Sequence, residues 1–141
     1  MQIEPGSLGG GMHTTTEIEH ESNLCVWRVN GRAELEPLQA AYLERFDLPG
    51  WWPGILNLSI LTDTRLDLFN PGEAEKLMRF MAIAAAKHGV GDGFFAAIAC
   101  ADPDSRTLLS YWDRRAPAGM SGENRTFADE KTARAWLAGQ V

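Results

Sequence analysis

The sequence predicts an α/β fold with a mixed, mainly parallel five-stranded sheet, an N-terminal antiparallel hairpin and about four helices. Three observations support this prediction. After an opening pair of strand-like segments, helix-like and strand-like segments alternate to the end of the chain. Residues 55–89 contain one complete strand, turn and helix. Residues 94–101 are apolar throughout, as is typical of a strand covered on both faces. Such alternation favours parallel strands joined by right-handed crossovers.

The first part of the chain predicts a leader followed by a hairpin. Residues 1–12 are rich in glycine and are expected to form a flexible leader, and residues 13–141 are expected to form a single domain. Strand-like residues 14–19 and 24–29 flank the turn-forming residues 21–23. This pattern predicts a β-hairpin whose first strand lies at an edge of the sheet.

The strand of the central unit, predicted over residues 55–62, has two unlike faces. Leu56, Leu58 and Ile60 share one face because side chains alternate along a strand. Asn57 lies on the opposite face together with other polar and apolar side chains. The pattern therefore predicts one firmly buried face and one partly polar face.

The helix of the central unit is predicted over residues 71–88. Asn70 is a favoured N-cap, Pro71 suits the first helical position, and Glu73 completes a capping-box pattern. Gly89 is placed to end the helix in a left-handed conformation. Four alanines near its C-terminal end predict a close approach of this helix to the sheet; they stand at positions 82, 84, 85 and 86.

The remaining elements follow from local signals. The predicted segments are a helix over residues 33–46, a strand over residues 94–101, a helix that starts at Pro103, a loop over residues 116–122, a strand over residues 124–127 and a final helix capped by Asp129 and ended by Gly139. If each parallel strand is added beside the previous one in the same direction, all helices fall on one face of the sheet. The opposite face then needs another cover.

Composition excludes several classes of function. The formal net charge is −6 with acidic and basic residues interspersed, which argues against binding of nucleic acid or of anionic membranes. No apolar run is long enough to span a bilayer, and the N-terminus lacks the pattern of a signal peptide, so we expect a cytoplasmic protein. Cys25 and Cys100 lie in strand patterns and are expected to be small buried hydrophobes.

No motif in the chain carries a recognisable chemistry. The order and spacing of residues match no Ser-His-Asp triad and no Gly-x-Ser-x-Gly elbow. No Cys-x-x-Cys motif is present, and the three histidines are far apart in sequence. We therefore expect a non-enzymatic protein without a metal or a cofactor.

Two adjacent tryptophans, Trp51 and Trp52, stand in a loop bounded by proline and glycine. One interpretation is a plug over the end of the core. The other is part of a surface that binds a partner or a ligand, since tryptophan is enriched at such surfaces.

The order and pattern of the elements resemble the SpoIIAA-like, or STAS-type, domains. Four segments carry the resemblance, which covers about residues 14–139: LCVWRVNGR at 24–32, LSILTD at 58–63, FFAAIA at 94–99 and RTFADEKTARAWL at 125–137. The resemblance implies a (βα)n superhelix and a non-enzymatic interaction module. Some members of the family antagonise anti-sigma factors, and others are regulatory domains of anion transporters.

The resemblance does not extend to the family's best-known switch. That switch is phosphorylation of a Ser or Thr at the start of the helix after the third strand. The matching positions here, residues 68–72, read LFNPG and hold no hydroxyl group. A phosphorylation switch is therefore not expected at this place.

Two functions fit the sequence best, and an enzyme whose catalytic residues converge from distant positions is a third alternative. The first is a protein-interaction or regulatory module that forms dimers and uses Trp51, Trp52, Asp63, Thr64, Arg65 and Asn70 as its binding residues. The second is a binder of a small apolar ligand or lipid, in a cleft lined by Trp, Phe and Met between the helices and the sheet, by analogy with the architecture of lipid-transfer proteins.

Overall fold

The computed structural model describes residues 11–66, 70–91, 94–113 and 123–140. Most of the predicted leader and the predicted loop at 116–122 lie outside these residues. The elements are β1 (His13–Glu19), β2 (Leu24–Arg32), α1 (Leu35–Leu43), a short 3₁₀-helix (Glu44–Asp47), β3 (Leu56–Arg65), α2 (Pro71–Lys87), β4 (Phe95–Cys100), α3 (Pro103–Asp113), β5 (Glu123–Phe127) and α4 (Glu130–Ala138). Their order is the predicted one.

The five strands form one sheet in the order β1-β2-β3-β4-β5. β1 pairs with β2 antiparallel, and each later strand pairs in parallel with the strand before it. This confirms the predicted α/β class, the mixed sheet and the opening hairpin. β3 lies at the centre of the sheet, so both of its faces are covered.

One face of the sheet packs against α4. Leu58 and Ile60 of β3 are buried there with Ala133 and Leu137 of α4. The prediction that this face of β3 is firmly buried is confirmed. The small Ala133 allows the helix to lie close to the sheet, and Leu137 fills the space one turn further along the helix.

The opposite face is covered by α1, α2 and α3. Trp27 and Val29 of β2 pack there with Leu38 of α1 and Ala74 of α2, and Leu109 of α3 lies against the same cluster. The expectation that all helices share one face is therefore wrong for α4. The reason is that α1, α2 and α3 each connect two parallel strands and obey the handedness of a crossover, whereas α4 follows the last strand and is free to fold onto the other face.

Local signals set the ends of α2 as predicted. The Asn70 side chain accepts a hydrogen bond from the Glu73 backbone N–H at 2.8 Å, and the Glu73 carboxylate accepts one from the Asn70 N–H at 3.4 Å. Pro71 occupies the start of the helix, and Gly89 follows its end with φ +85°. The predicted capping box and left-handed ending are both confirmed.

An ion pair ties α4 to the edge strand β1. Arg134 donates two hydrogen bonds to the Glu19 carboxylate, both at 2.8 Å, and a third to Glu130 at 2.7 Å. The hydrogen bonds from Arg134 hold the pKa of Glu19 below its ordinary value. A bidentate pair of this kind fixes direction as well as distance, so it orients α4 across the sheet.

Candidate functional site

A cavity of about 300 Å³ lies between the sheet and the helices α1 and α2. Its walls are mostly apolar. The strands contribute Trp27, Val29, Asn57, Ser59, Leu61, Thr64, Ala96, Ile98 and Asn124, and the two helices with the 3₁₀-helix contribute Leu38, Tyr42, Arg45, Leu77, Met78, Met81, Ala82 and Ala85. Its volume stands at the lower end of the range found for ligand pockets.

The cavity exists because α2 does not lie close against the sheet. α2 packs mainly against its neighbouring helix α1. Ala82 and Ala85, expected to bring the helix onto the sheet, line the cavity instead. That expectation is wrong because the separation of packed elements follows their bulkier side chains, here Met78 and Met81, which also line the cavity. The small side chains beside them then face open space.

The floor of the cavity is the partly polar face of β3. Asn57 and Ser59 line the cavity, and both are half-buried. The Asn57 amide donates to the carbonyl oxygens of Ile55 at 3.3 Å and Phe95 at 3.5 Å. Its Oδ1 accepts a hydrogen bond from Arg45. The sequence predicted the polar character of this face, and the structure shows that it forms the floor of a cavity.

Arg45 is the charged group in the wall of this cavity. It belongs to the 3₁₀-helix that continues α1, and only 4% of its surface is exposed. Its Nε donates to the Tyr42 carbonyl at 3.0 Å, and its Nη1 donates to Asn57 Oδ1 at 3.2 Å. The guanidinium carbon lies 4.1 Å from the centre of the Tyr42 ring and 5.1 Å from that of Trp27.

The surroundings of Arg45 are strongly desolvated. Burial raises the pKa of the Tyr42 hydroxyl and that of the Cys25 thiol, and the nearby Arg45 charge opposes both shifts. A cation with few polar partners in such a setting interacts strongly with any charge that enters. Arg45 is absent from the predicted site residues. It lies four residues after Ala41 and seven after Leu38, which is the helical spacing of residues that share the inward face. A charged residue in that apolar stripe was the available signal.

An aromatic cluster closes one end of the cavity. The Phe46 ring stacks on the His88 ring at 4.0 Å between centroids, and Trp51 meets Phe46 edge-on at 4.8 Å. Both Phe46 and Trp51 line the cavity. The cluster joins the 3₁₀-helix, the loop before β3 and the end of α2.

The two tryptophans have different environments. Trp51 is half-buried and lines the cavity, whereas Trp52 is 50% exposed. The indole Nε1 of Trp52 donates to Asn23 Oδ1 at 2.7 Å. Its ring covers Gly54 so closely that a side chain at that position would collide with it. The loop thus presents one tryptophan to the cavity and one to the surface.

The other four predicted site residues lie at the C-terminal end of β3 or, for Asn70, at the start of α2. Asp63 is an extra residue in the β2–β3 pairing, with φ +49°. This bulge turns Thr64 inward, where it is buried and donates to the Val29 carbonyl at 3.0 Å. Asn70 caps α2, and the Arg65 side chain lies outside the described residues. Thr64 lines the same cavity as Trp51, so the structure brings these two predicted residues to one site, whereas Asp63 and Asn70 are not among its lining residues.

Within the described parts of the chain, no group of three or more His, Cys, Asp or Glu side chains is arranged to hold a metal ion. No helix among the same residues has both the length and the apolar character to cross a membrane. The chain matches no protein-family model, no curated protein and no solved structure.

Proposed function

We propose that this protein is a non-enzymatic binding module for a small apolar ligand, held between the sheet and the helices α1 and α2. The observation that carries the proposal is the cavity of about 300 Å³ with mostly apolar walls. A ligand in this space would make extensive packing contacts with the apolar side chains that line it. Pockets of this kind are typical of small-molecule sites.

The architecture around the cavity favours binding over catalysis. Asn57 and Ser59 can orient a ligand, but the described lining residues include no His, Lys, Asp or Glu that could act as a base beside them. The Cys25 thiol is buried, and burial raises its pKa, which makes it a poor nucleophile. These groups suit recognition of a molecule that is not altered.

Binding can be tested with methionine methyl groups as reporters. Protein labelled with ¹³C at the methionine methyls is titrated with octanamide, an uncharged apolar compound. Met78 and Met81 line the cavity, and their signals should shift and saturate. Met12 packs at the same core without lining the cavity and serves as the internal control. Absence of saturable shifts at Met78 and Met81 would contradict the proposal.

A second candidate function is a protein-interaction module that associates with itself. Trp52 favours it, because this indole is half-exposed and held in place by Asn23 and Gly54. Rigid exposed tryptophans are typical of interface centres. Sedimentation velocity over a range of concentrations should show association of the unmodified protein and its loss in Trp52→Ser. A single monomeric species throughout would exclude this candidate.

We also propose that the chain is related to the STAS-type domains that it resembles, and that it is located in the cytoplasm. The order of elements from β1 to α4, on which the resemblance rests, supports a binding role. Both Cys25 and Cys100 are free thiols, which are typical of a reducing compartment.

A further inference from the structure

Among the residues that the structure describes, none supplies a counter-charge to the guanidinium of Arg45. Its Nε and Nη1 donate to uncharged oxygens of Tyr42 and Asn57, and its Nη2 has no hydrogen-bond partner. No salt bridge links Arg45 to a carboxylate in the described part of the chain. A residue that is 96% buried therefore carries a positive charge with only neutral groups around it.

Such an arrangement is unusual. Arginine is almost never fully buried unless it is paired, because removing a charge from water is strongly unfavourable. Stacking on the Tyr42 and Trp27 rings compensates for part of the lost hydration through cation–π attraction. These rings have no net charge, so the electrostatic requirement of the guanidinium is only partly met.

A second unpaired donor lies in the same wall. The indole Nε1 of Trp27 is buried and has no hydrogen-bond partner. This group can only donate, so another donor such as Arg45 cannot satisfy it. Both Trp27 and Arg45 line the cavity, and Arg45 is the single charged residue among the described lining residues. The cavity thus combines mostly apolar walls with one positive charge and two unpaired donors, and Asn124 contributes one unpaired acceptor, its Oδ1.

We propose that the ligand of this cavity is an apolar monocarboxylate whose carboxylate binds Arg45 and the indole N–H of Trp27. This inference rests on the proposed ligand-binding function and specifies its ligand. The planar guanidinium matches a carboxylate in shape and charge. A doubly charged phosphate is disfavoured, because its second charge would meet only neutral groups in an apolar space.

The volume of the cavity limits the size of the ligand. Each water occupies about 30 Å³ of the liquid, so 300 Å³ accommodates about ten non-hydrogen atoms. A carboxylate with a short alkyl chain or one aromatic ring has this size. Its apolar part would lie against Met78 and Met81, which can adapt their conformation to the shape of the ligand.

Octanoate and octanamide test the inference as a matched pair. The two compounds have the same number of non-hydrogen atoms and differ in charge. Isothermal titration calorimetry near neutral pH should show that octanoate binds about ten- to one hundredfold more tightly, the gain associated with hydrogen bonds to a charged group. Arg45→Met removes the charge and retains an apolar side chain. This variant should lose the preference for octanoate, so that the two compounds bind to it with similar affinity.

Trp27 provides a second measurement that needs no substitution at Arg45. In ¹H–¹⁵N spectra of the unmodified protein, saturation with octanoate should shift the Trp27 indole signal further than saturation with octanamide. This comparison decides the question if Arg45→Met does not fold.

The possible outcomes separate the two proposals. If neither compound binds, the proposed ligand-binding function fails. If octanamide binds and octanoate binds no more tightly, the cavity is a ligand site but the carboxylate inference is overturned. A preference for octanoate that persists in Arg45→Met, or an indole signal that responds equally to both compounds, would also overturn it.

Discussion

Filling the cavity from the helix side should stabilise the protein and prevent ligand binding. Ala85 of α2 lines the cavity and is half-buried, so Ala85→Leu would place three additional carbon atoms in the open space. Burial of each carbon contributes about 0.8 kcal/mol. Loss of leucine rotamer freedom offsets about 0.5–1 kcal/mol of this gain. We expect the free energy of unfolding to rise by about 1–2 kcal/mol.

Urea unfolding followed by circular dichroism measures this change, and calorimetry with octanamide measures binding. For a chain of this size each kcal/mol corresponds to about 3–4 °C in Tm. Ala138→Leu is the matched control, because Ala138 is exposed on α4 and does not line the cavity. It should change neither stability nor binding appreciably. A loss of more than about 1 kcal/mol in Ala85→Leu would mean that the site is already fully packed, and the reasoning from an open cavity would be refuted.

Three further predictions concern the frame around the site. Glu19→Gln should lower stability by about 1 kcal/mol near neutral pH, because it weakens the bidentate pair with Arg134. Since the pKa of Glu19 is lowered in the folded protein, its contribution is present above the ordinary value of 4.5 and is lost as pH falls through the lowered value. The free energies of unfolding of the unmodified protein and Glu19→Gln, measured by urea titration, should therefore converge in acid. A difference between them that grows in acid would contradict this reasoning. Asn70→Ala should lower the free energy of unfolding by about 1 kcal/mol in the same assay through loss of the α2 cap, whereas an unchanged value would show that the cap is dispensable. Cys25 and Cys100 should react with a thiol reagent many times more slowly in the native protein than in urea, because burial raises both pKa values; rapid native labelling would refute their burial.

Features set by neighbours in the sequence, or by the crossover rule for parallel strands, could be predicted, whereas the position of a helix outside any crossover could not. The caps of α2 depend on Asn70, Glu73 and Gly89, which lie next to the helix, and the alternation along β3 depends on its own residues. The face chosen by α4 depends on the chain after the last strand, for which no crossover rule applies.

The sequence predicted the type of site, but not its cause or its charged residue. Trp, Phe and Met were expected to line a cleft between helices and sheet, and such a cavity is present. Its cause was not foreseen, because the distance between α2 and the sheet is a property of the whole layer and not of Ala82 or Ala85 alone. Arg45 was detectable from its place in the apolar stripe of α1, but its lack of a counter-charge required the three-dimensional arrangement.

The placement of α4 explains how the fold tolerates an open cavity. On the α4 side of the sheet, Leu58, Ala133 and Leu137 are almost completely buried, and Arg134 fixes the helix to β1. This face can hold the sheet together without help from α2. The opposite face is then free to leave space between α2 and the sheet, because close packing of α2 is not needed to maintain the strand order. Under the proposed function, stability and ligand binding are assigned to opposite faces of one sheet, and a ligand that enters the cavity would add stability that rises with the logarithm of its concentration relative to Kd.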